Sequence, residues 1–196
     1  MRLSDINTTH LEAGGHLTDQ AFMDLCQANP SMRLELTAGG EVEAMSPSGF
    51  WSGRRNTKLN KQVEVWSDRT RTGEVFDSST GFRLPNSAIR SPDLSWVENS
   101  KIEGIPIESR EQFAPLCPDF VVEIASLTDE RKALQAKLRE YISQGARLGW
   151  LIDPFLREVE IYRPGQEAEF LSSPATLSGE DVLPGLVVDL SEILNG

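Results

Sequence analysis

The sequence of 196 residues has little of what several common kinds of functional site require. It holds two cysteines, Cys26 and Cys117, which make neither a disulfide framework nor a CxxC metal site. Both histidines, His10 and His16, lie near the N-terminus, so a histidine-dependent triad or a zinc site with histidine ligands has almost no basis. The GxxxxGKS loop of nucleotide hydrolases is also missing. The groups that remain for chemistry are oxygen ligands and lysine.

Long hydrophobic runs are absent, and positive charge is scarce. No stretch reaches the ~18 apolar residues that a membrane helix needs, and the first residues, MRLSDINTTHLEAGG, lack the apolar region of a secretory signal. The 19 Lys and Arg residues against 30 Asp and Glu give a net charge of -11, which argues against a generic nucleic-acid binder. The composition is that of a soluble globular protein, and its few cysteines are consistent with a cytoplasmic location.

The chain is predicted to form a flexible tail over residues 1–17 and a single domain over residues 18–196, because no repeat or linker divides it. Hydrophobic periodicity predicts the following elements in order: a helix from Thr18 to Ala28, a hairpin over 33–45, a helix from Ser52 to Arg69, short strands, a buried central strand over 120–125, a helix capped by Thr128 or Asp129 with acids in its first turn, and a hairpin over 150–162. This order indicates an α/β or α+β fold, with a sheet flanked by helices.

Two carboxylates stand where buried strands are predicted. Glu123 interrupts the apolar run of residues 120–125, and Asp93 precedes Leu94 in SPDLSWV. A buried, unpaired carboxylate is costly. If the two strands are neighbours, both acids could point into one pocket, where a divalent cation such as Mg²⁺ would relieve their repulsion. A purely structural role is also open, in which Glu123 pairs with an arginine and Asp93 caps a turn beside Pro92.

One lysine is placed to join these acids. On a helical wheel that starts at Leu134, Lys137 lies at about -60°, beside the apolar stripe that includes Leu138. Its ammonium group could reach the sheet edge near Glu123 and hold water or neutralise charge that develops on a phosphate. It could equally be a surface lysine that extends beside a core helix. Lys132, on the same helix, is predicted to face solvent.

The second predicted helix carries a local excess of positive charge. Residues 52–71 have a net charge of +4 within an acidic chain. Such runs are usually solvated helix faces, but this one could contact a phosphate backbone. The candidate nucleic-acid-binding residues are Arg54, Arg55, Lys58 and Lys61.

Four ordered motifs carry a family resemblance: SPDLSWV, CPDFVVEIAS, LQAKLREYISQGARLGWLIDP and VEIYRPG. Together they resemble the Uma-type endonuclease-like family of the PD-(D/E)XK restriction endonuclease-like superfamily. The segments ELTAGGEVEAMSPSG and LSGEDVLPGLVVDLS are similar to its ends, so the resemblance spans about residues 33–190. It implies a restriction endonuclease-like mixed sheet flanked by helices with additional hairpins. It also implies a nuclease-type site that uses Mg²⁺ or Mn²⁺. The expected partner is nucleic acid, with DNA favoured over RNA, and the expected oligomer is a homodimer.

The resemblance also implies roles for individual residues. It gives Asp93 and Glu123 as the metal-binding acids and Lys137 as the catalytic lysine. Glu35 matches a further catalytic acid, and Asp77 is a lesser candidate at the pocket rim. These assignments predict a metal-dependent nuclease that hydrolyses phosphodiester bonds.

Two departures from the family pattern keep an alternative open. Ala125 stands where the superfamily has a lysine two positions after the second acid, and the segment 49–53, GFWSG, lacks the histidine that many relatives carry there. The alternative is a catalytically inactive nuclease-fold module that binds nucleic acid or protein. A third interpretation is an assembly protein in which both acids form ordinary ion pairs.

Overall fold

A mixed six-stranded sheet organises the protein, as the computed structural model shows for residues 17–45 and 47–195. Most of the predicted tail, together with His10 and His16, lies outside the described residues. The helices are α1 (Asp19–Ala28), α2 (Phe50–Thr70), α3 (Asn99–Glu103), α4 (Arg131–Ser143) and α5 (Ser191–Leu194). The strands are β1 (Arg33–Leu36), β2 (Val42–Met45), β3 (Gly73–Asp77), β4 (Phe82–Arg83), β5 (Ile89–Arg90), β6 (Leu94–Glu98), β7 (Phe120–Ile124), β8 (Leu148–Asp153), β9 (Glu158–Tyr162), β10 (Glu169–Ser172), β11 (Thr176–Ser178) and β12 (Val187–Asp189).

The strand order of the main sheet is β10-β9-β8-β7-β6-β3. β7 and β8 are parallel and are connected through α4, whereas the other neighbouring pairs are antiparallel. All five residues of β7 are buried, which confirms its predicted place in the middle of the sheet. The mixed sheet flanked by helices confirms the predicted fold class.

The two faces of this sheet have separate cores, because successive side chains of a strand point to opposite faces. On one face, α2 packs Leu59, Val63 and Trp66 against the sheet. On the other face, α4 packs Leu138 and Tyr141. Val121 of β7 belongs to the α4 side, so Glu123, two residues further along, points to that side as well.

A smaller sheet, with the order β2-β1-β5-β4, lies beside the main one. The β1–β2 hairpin is the predicted one, with Glu35 paired to Glu43 across it. α1 covers this sheet with Phe22 and Leu25, which pack with Leu34 and other apolar residues. Thr18, where the first helix was predicted to begin, caps α1 by accepting a hydrogen bond from the Ala21 N–H. A separate two-stranded sheet pairs β11 with β12.

The start of α4 differs from the prediction. Neither Thr128 nor Asp129 caps this helix: the N-cap position is Glu130, without a side-chain capping bond, and the first turn carries no acid. The Asp129 carboxylate instead accepts the Ser126 N–H at 2.7 Å and so closes the turn that leads out of β7. Gly145, with φ at +116°, follows the end of the helix.

None of the helices among residues 17–45 and 47–195 combines the length and the apolar character that crossing a membrane requires.

Candidate active site

The pairing of β6 with β7 brings the two predicted acids together. Leu94 pairs with Val122 in antiparallel register, so Asp93, immediately before β6, lies opposite Glu123 of β7. The Ile124 N–H donates a hydrogen bond to Asp93 Oδ2 at 2.9 Å, which fixes this carboxylate at the end of the sheet. Asp93 and Glu123 therefore point into the same space on the α4 side.

Lys137 reaches this space from α4. Its Nζ lies 2.8 Å from Glu123 Oε1 and 2.8 Å from Glu35 Oε1. The Tyr141 hydroxyl, one turn further along the helix, donates to Glu123 Oε1 at 3.4 Å. The superfamily pattern would place a lysine at position 125, where this chain has Ala125. The ammonium group beside Glu123 is supplied instead by Lys137 of α4.

Glu35 is held from three sides. Its Oε1 accepts the Ser91 N–H at 2.9 Å as well as the lysine, and its Oε2 accepts from Arg90 Nη1 at 3.1 Å. Arg90 in turn contacts Glu140 of α4 through Nε at 2.8 Å. Since both oxygens of Glu35 are already engaged, this carboxylate is arranged to hold Lys137 rather than to offer an oxygen to a cation.

The charges of the cluster shift the pKa values of its members. The pKa of Glu123 is raised to about 7: burial is the largest cause, Lys137 acts against it, and the charges of Asp93 and Glu35 raise the pKa as well. Burial also acts against ionisation of Glu35, but Lys137, Arg90 and the Ser91 N–H outweigh it and lower the pKa of Glu35. Burial likewise acts against the charge of Lys137, yet Glu123 and Glu35 keep its pKa above the usual value. The cluster therefore holds more negative charge than one ammonium neutralises.

This excess predicts a pH dependence of stability that Glu123→Gln removes. A carboxyl group with a raised pKa in the folded state stabilises fully below its unfolded pKa, and loses that contribution as pH rises through about 7. In buffer with EDTA, the unfolding free energy of the variant minus that of the wild type should increase by roughly 2–3 kcal/mol from about pH 5 to about pH 8, at ~1.36 kcal/mol per pKa unit. Urea denaturation measures it.

The control for this measurement is Glu167→Gln, in an exposed loop. Its denaturation midpoint should follow the wild type at every pH. Parallel pH profiles for Glu123→Gln and the wild type would contradict a raised pKa at Glu123.

A cleft of about 610 Å³, the acid cleft, opens onto Asp93, Glu123 and Lys137. Asn56 of α2 also lines it: its Oδ1 is buried without a hydrogen-bond partner among the described residues, and its Nδ2 lies 3.4 Å from Asp93 Oδ1. Mg²⁺ is commonly held by one or two carboxylates and keeps several waters. Two carboxylates with an orphaned amide oxygen fit that preference. In residues 17–45 and 47–195, no group of three or more His, Cys, Asp or Glu side chains is arranged to hold a metal.

Asn56 was not singled out from the sequence, although a local signal exists. It precedes Leu59 by three residues and Val63 by seven, so it continues the buried stripe of α2 towards the cleft. A polar residue in an apolar stripe is a candidate for a functional role.

The four predicted nucleic-acid-binding residues lie in different surroundings. Arg54 and Lys58 form ion pairs with Glu192 of α5 at 3.0 and 2.8 Å. Arg55 is buried, donates from Nε to the Ile193 carbonyl at 3.2 Å and lines the acid cleft. Lys61 lines a second groove, beside Arg69. Only Arg55 of the four therefore lines the cleft that contains the acids.

Asp77, the candidate at the rim, is engaged locally. Its Oδ1 accepts hydrogen bonds from the N–H and the hydroxyl of Ser79 at 2.9 and 2.5 Å, as is typical of an acid that closes a turn.

Comparison with known proteins supports both the fold and the family. A solved structure, the crystal structure of "a putative nuclease belonging to DUF820" from Anabaena variabilis ATCC 29413, matches with a TM-score of 0.75 and 20% identity, over 91% of this chain and 98% of that chain. No curated protein matches. The model of the Uma2 family, described as "Putative restriction endonuclease", matches residues 19–191. Because this match covers nearly the whole chain, the protein belongs to the Uma2 family.

Proposed function

We propose that this protein is a metal-dependent nuclease that hydrolyses phosphodiester bonds of nucleic acid in the acid cleft. The observation that carries the proposal is the convergence of Asp93, Glu123 and Lys137 from two strands and a helix, with the lysine 2.8 Å from the second acid. The description of the family supports the same class of activity.

Each residue of the cluster has a distinct part. Asp93 and Glu123 hold Mg²⁺ or Mn²⁺, with the Asn56 amide oxygen as a further ligand. When bound, such an ion polarises a phosphate and lowers the pKa of an attacking water. Lys137 orients the water and stabilises the negative charge that develops during attack. Glu35, with both oxygens engaged, keeps the ammonium group in place.

Cationic side chains in the cleft suit a phosphate backbone. Arg33 lines the cleft with its Nη1 3.7 Å from Asp93 Oδ1, and Arg55 lines it from α2. These local charges allow a polyanion to approach a chain whose net charge is -11. Several expectations stay predictions. They are the preference for DNA, the homodimer, the cytoplasmic location, the single domain over residues 18–196, and a contribution to binding from Arg54, Lys58 and Lys61.

The first experiment measures the metal requirement. Purified protein is incubated with supercoiled plasmid, single-stranded DNA and RNA, each with Mg²⁺, Mn²⁺, Ca²⁺ or EDTA. We expect cleavage of at least one substrate with Mg²⁺ or Mn²⁺ and none with EDTA, because the two carboxylates of the cleft repel a phosphate unless a cation lies between them. Absence of cleavage from every substrate, with nucleic-acid binding retained, would favour the inactive binding module instead.

A further inference from the structure

Exposed apolar side chains surround the mouth of the acid cleft. Phe50 is 83% exposed, Trp51 52% and Leu127 84%, and all three line the same cleft as Asp93 and Glu123. The Phe50 and Trp51 rings meet edge to face, with their centroids 5.5 Å apart. Nothing in phosphodiester hydrolysis itself calls for such groups, so they indicate a ligand with an apolar face.

The two aromatic rings stand in open surroundings at the start of α2. A Cβ atom built on Gly49 or on Gly53 would meet no atom within 4 Å. The neighbouring Arg54 places its guanidinium 5.6 Å from the centre of the Trp51 ring. An aromatic surface and a cation, which also forms an ion pair with Glu192 at 3.0 Å, are thus side by side. Single-stranded nucleic acids bind such a combination through stacked bases and backbone phosphates.

We propose that Phe50 and Trp51 form a stacking platform for an unpaired base, so that the cleft accepts single-stranded or locally unpaired nucleic acid in preference to intact duplex. The inference rests on the proposed nuclease function and names its substrate class. A nucleotide has a phosphate that can lie beside Asp93 and Glu123, and a flat base that can stack on Phe50 or Trp51 at the mouth of the same cleft. In a duplex the faces of the bases are covered by their neighbours, so the two rings have nothing to stack on.

The distribution of charge favours nucleic acid over a second copy of this chain as the partner that covers Phe50 and Trp51. The copy would carry the same net charge of -11, whereas the segment 52–71, which covers most of α2 and the following Arg71, has a net charge of +4. The net charge of the chain opposes both partners, but the closely spaced phosphates of a nucleic acid can meet the local cations Arg33 and Arg55 in the cleft, whereas the excess charge of a second copy is spread over its surface.

The test measures binding in EDTA, so that cleavage plays no part. Fluorescence anisotropy compares a labelled single-stranded oligonucleotide with a blunt-ended duplex of two complementary strands of the same length, which has no loop, and tryptophan emission is followed in parallel. Trp66, Trp96 and Trp150 are at most 3% exposed, so quenching by the oligonucleotide reports on Trp51. We expect tighter binding of the single strand, together with quenching.

Substitutions then separate stacking from general apolar contact. Trp51→Leu and Phe50→Ala should each weaken single-strand binding roughly 5- to 150-fold, the range for one stacked base, and leave duplex binding unchanged. Trp51→Tyr should retain most of the affinity. The control Phe170→Ala removes a ring that is 62% exposed on β10, at the edge of the main sheet, and should change nothing.

Two results would overturn the proposal. One is equal affinity for single strand and duplex, with no effect of the substitutions; metal-dependent cleavage by the same preparation would then leave the nuclease function intact. The other is a change in the sedimentation of the free protein on Trp51→Leu without a change in oligonucleotide binding, which would make the rings a contact between copies. If no substrate is cleaved but single strands bind selectively through Trp51, the platform stands and the nuclease function fails.

Discussion

Asp93→Asn is expected to reduce metal-dependent cleavage at least about 100-fold, the scale on which single electrostatic groups act in active sites. The amide removes one of the two carboxylates that face the cleft but can still accept the Ile124 N–H, so the end of the strand keeps its structure. Binding of Mn²⁺, followed by electron paramagnetic resonance, should weaken in parallel. Initial cleavage rates at saturating nucleic acid measure the loss.

Asp77→Asn is the matched control, because Asp77 ends β3 and pairs with Leu94, the residue after Asp93, but its carboxylate is engaged with Ser79. It should cleave and bind Mn²⁺ as the wild type does. Equal rates for Asp93→Asn and the wild type on every substrate would exclude Asp93 as a metal ligand, and with it the proposed centre.

Lys137→Met should destabilise the protein by about 3–5 kcal/mol near pH 8, the usual cost of leaving a buried charge without its partner. Glu35 retains Arg90 and Ser91, so the unpaired charge falls on Glu123. Near pH 5 the deficit should shrink, since a carboxyl with a pKa of about 7 is then protonated in the folded state. Urea denaturation at both pH values measures the effect, and cleavage should be lost.

Two variants control for this substitution. Lys132→Met changes an exposed lysine of the same helix and should alter neither stability nor cleavage. Lys137→Arg keeps a positive charge and should recover most of the stability, while its bulkier group disturbs the geometry needed for cleavage. A stability of Lys137→Met equal to that of the wild type at pH 8 would contradict the buried ion pairs.

The meeting of Asp93, Glu123 and Lys137 was accessible to sequence reasoning only in part: local periods indicate which way each side chain faces and the family resemblance groups the three residues, whereas the pairing of β6 with β7 was a condition that the sequence did not supply. Strand alternation places both acids on one side of neighbouring strands, and the 3.6-residue helical period places Lys137 beside the core stripe. A superfamily pattern that requires lysine two positions after the second acid would have missed the site, since the ammonium group comes from α4 and position 125 is alanine. The chemical roles of the three residues stay predictions.

What escaped prediction depends on partners distant in the sequence. Arg54 and Lys58 looked like a free basic face, but their ion-pair partner Glu192 is more than 130 residues away. The short strands β5, β10 and β11 exist through pairing, and few residues carry their patterns. At the start of α4, Asp129 serves the preceding turn, a choice that a capping rule based on neighbouring residues cannot make.

Buried ion pairs join the small sheet to α4: Glu35 meets Lys137, and Arg90 meets Glu140. The same hairpin supplies Ala44 and Met45 to one wall of the cleft. The position of this wall and the charge of Lys137 therefore cannot change independently during evolution, because a substitution that moves the hairpin also moves Glu35, the partner of Lys137. Among relatives, we expect substrate range to diversify through the Phe50 side of the cleft, where sequence can vary without disturbing the chemistry.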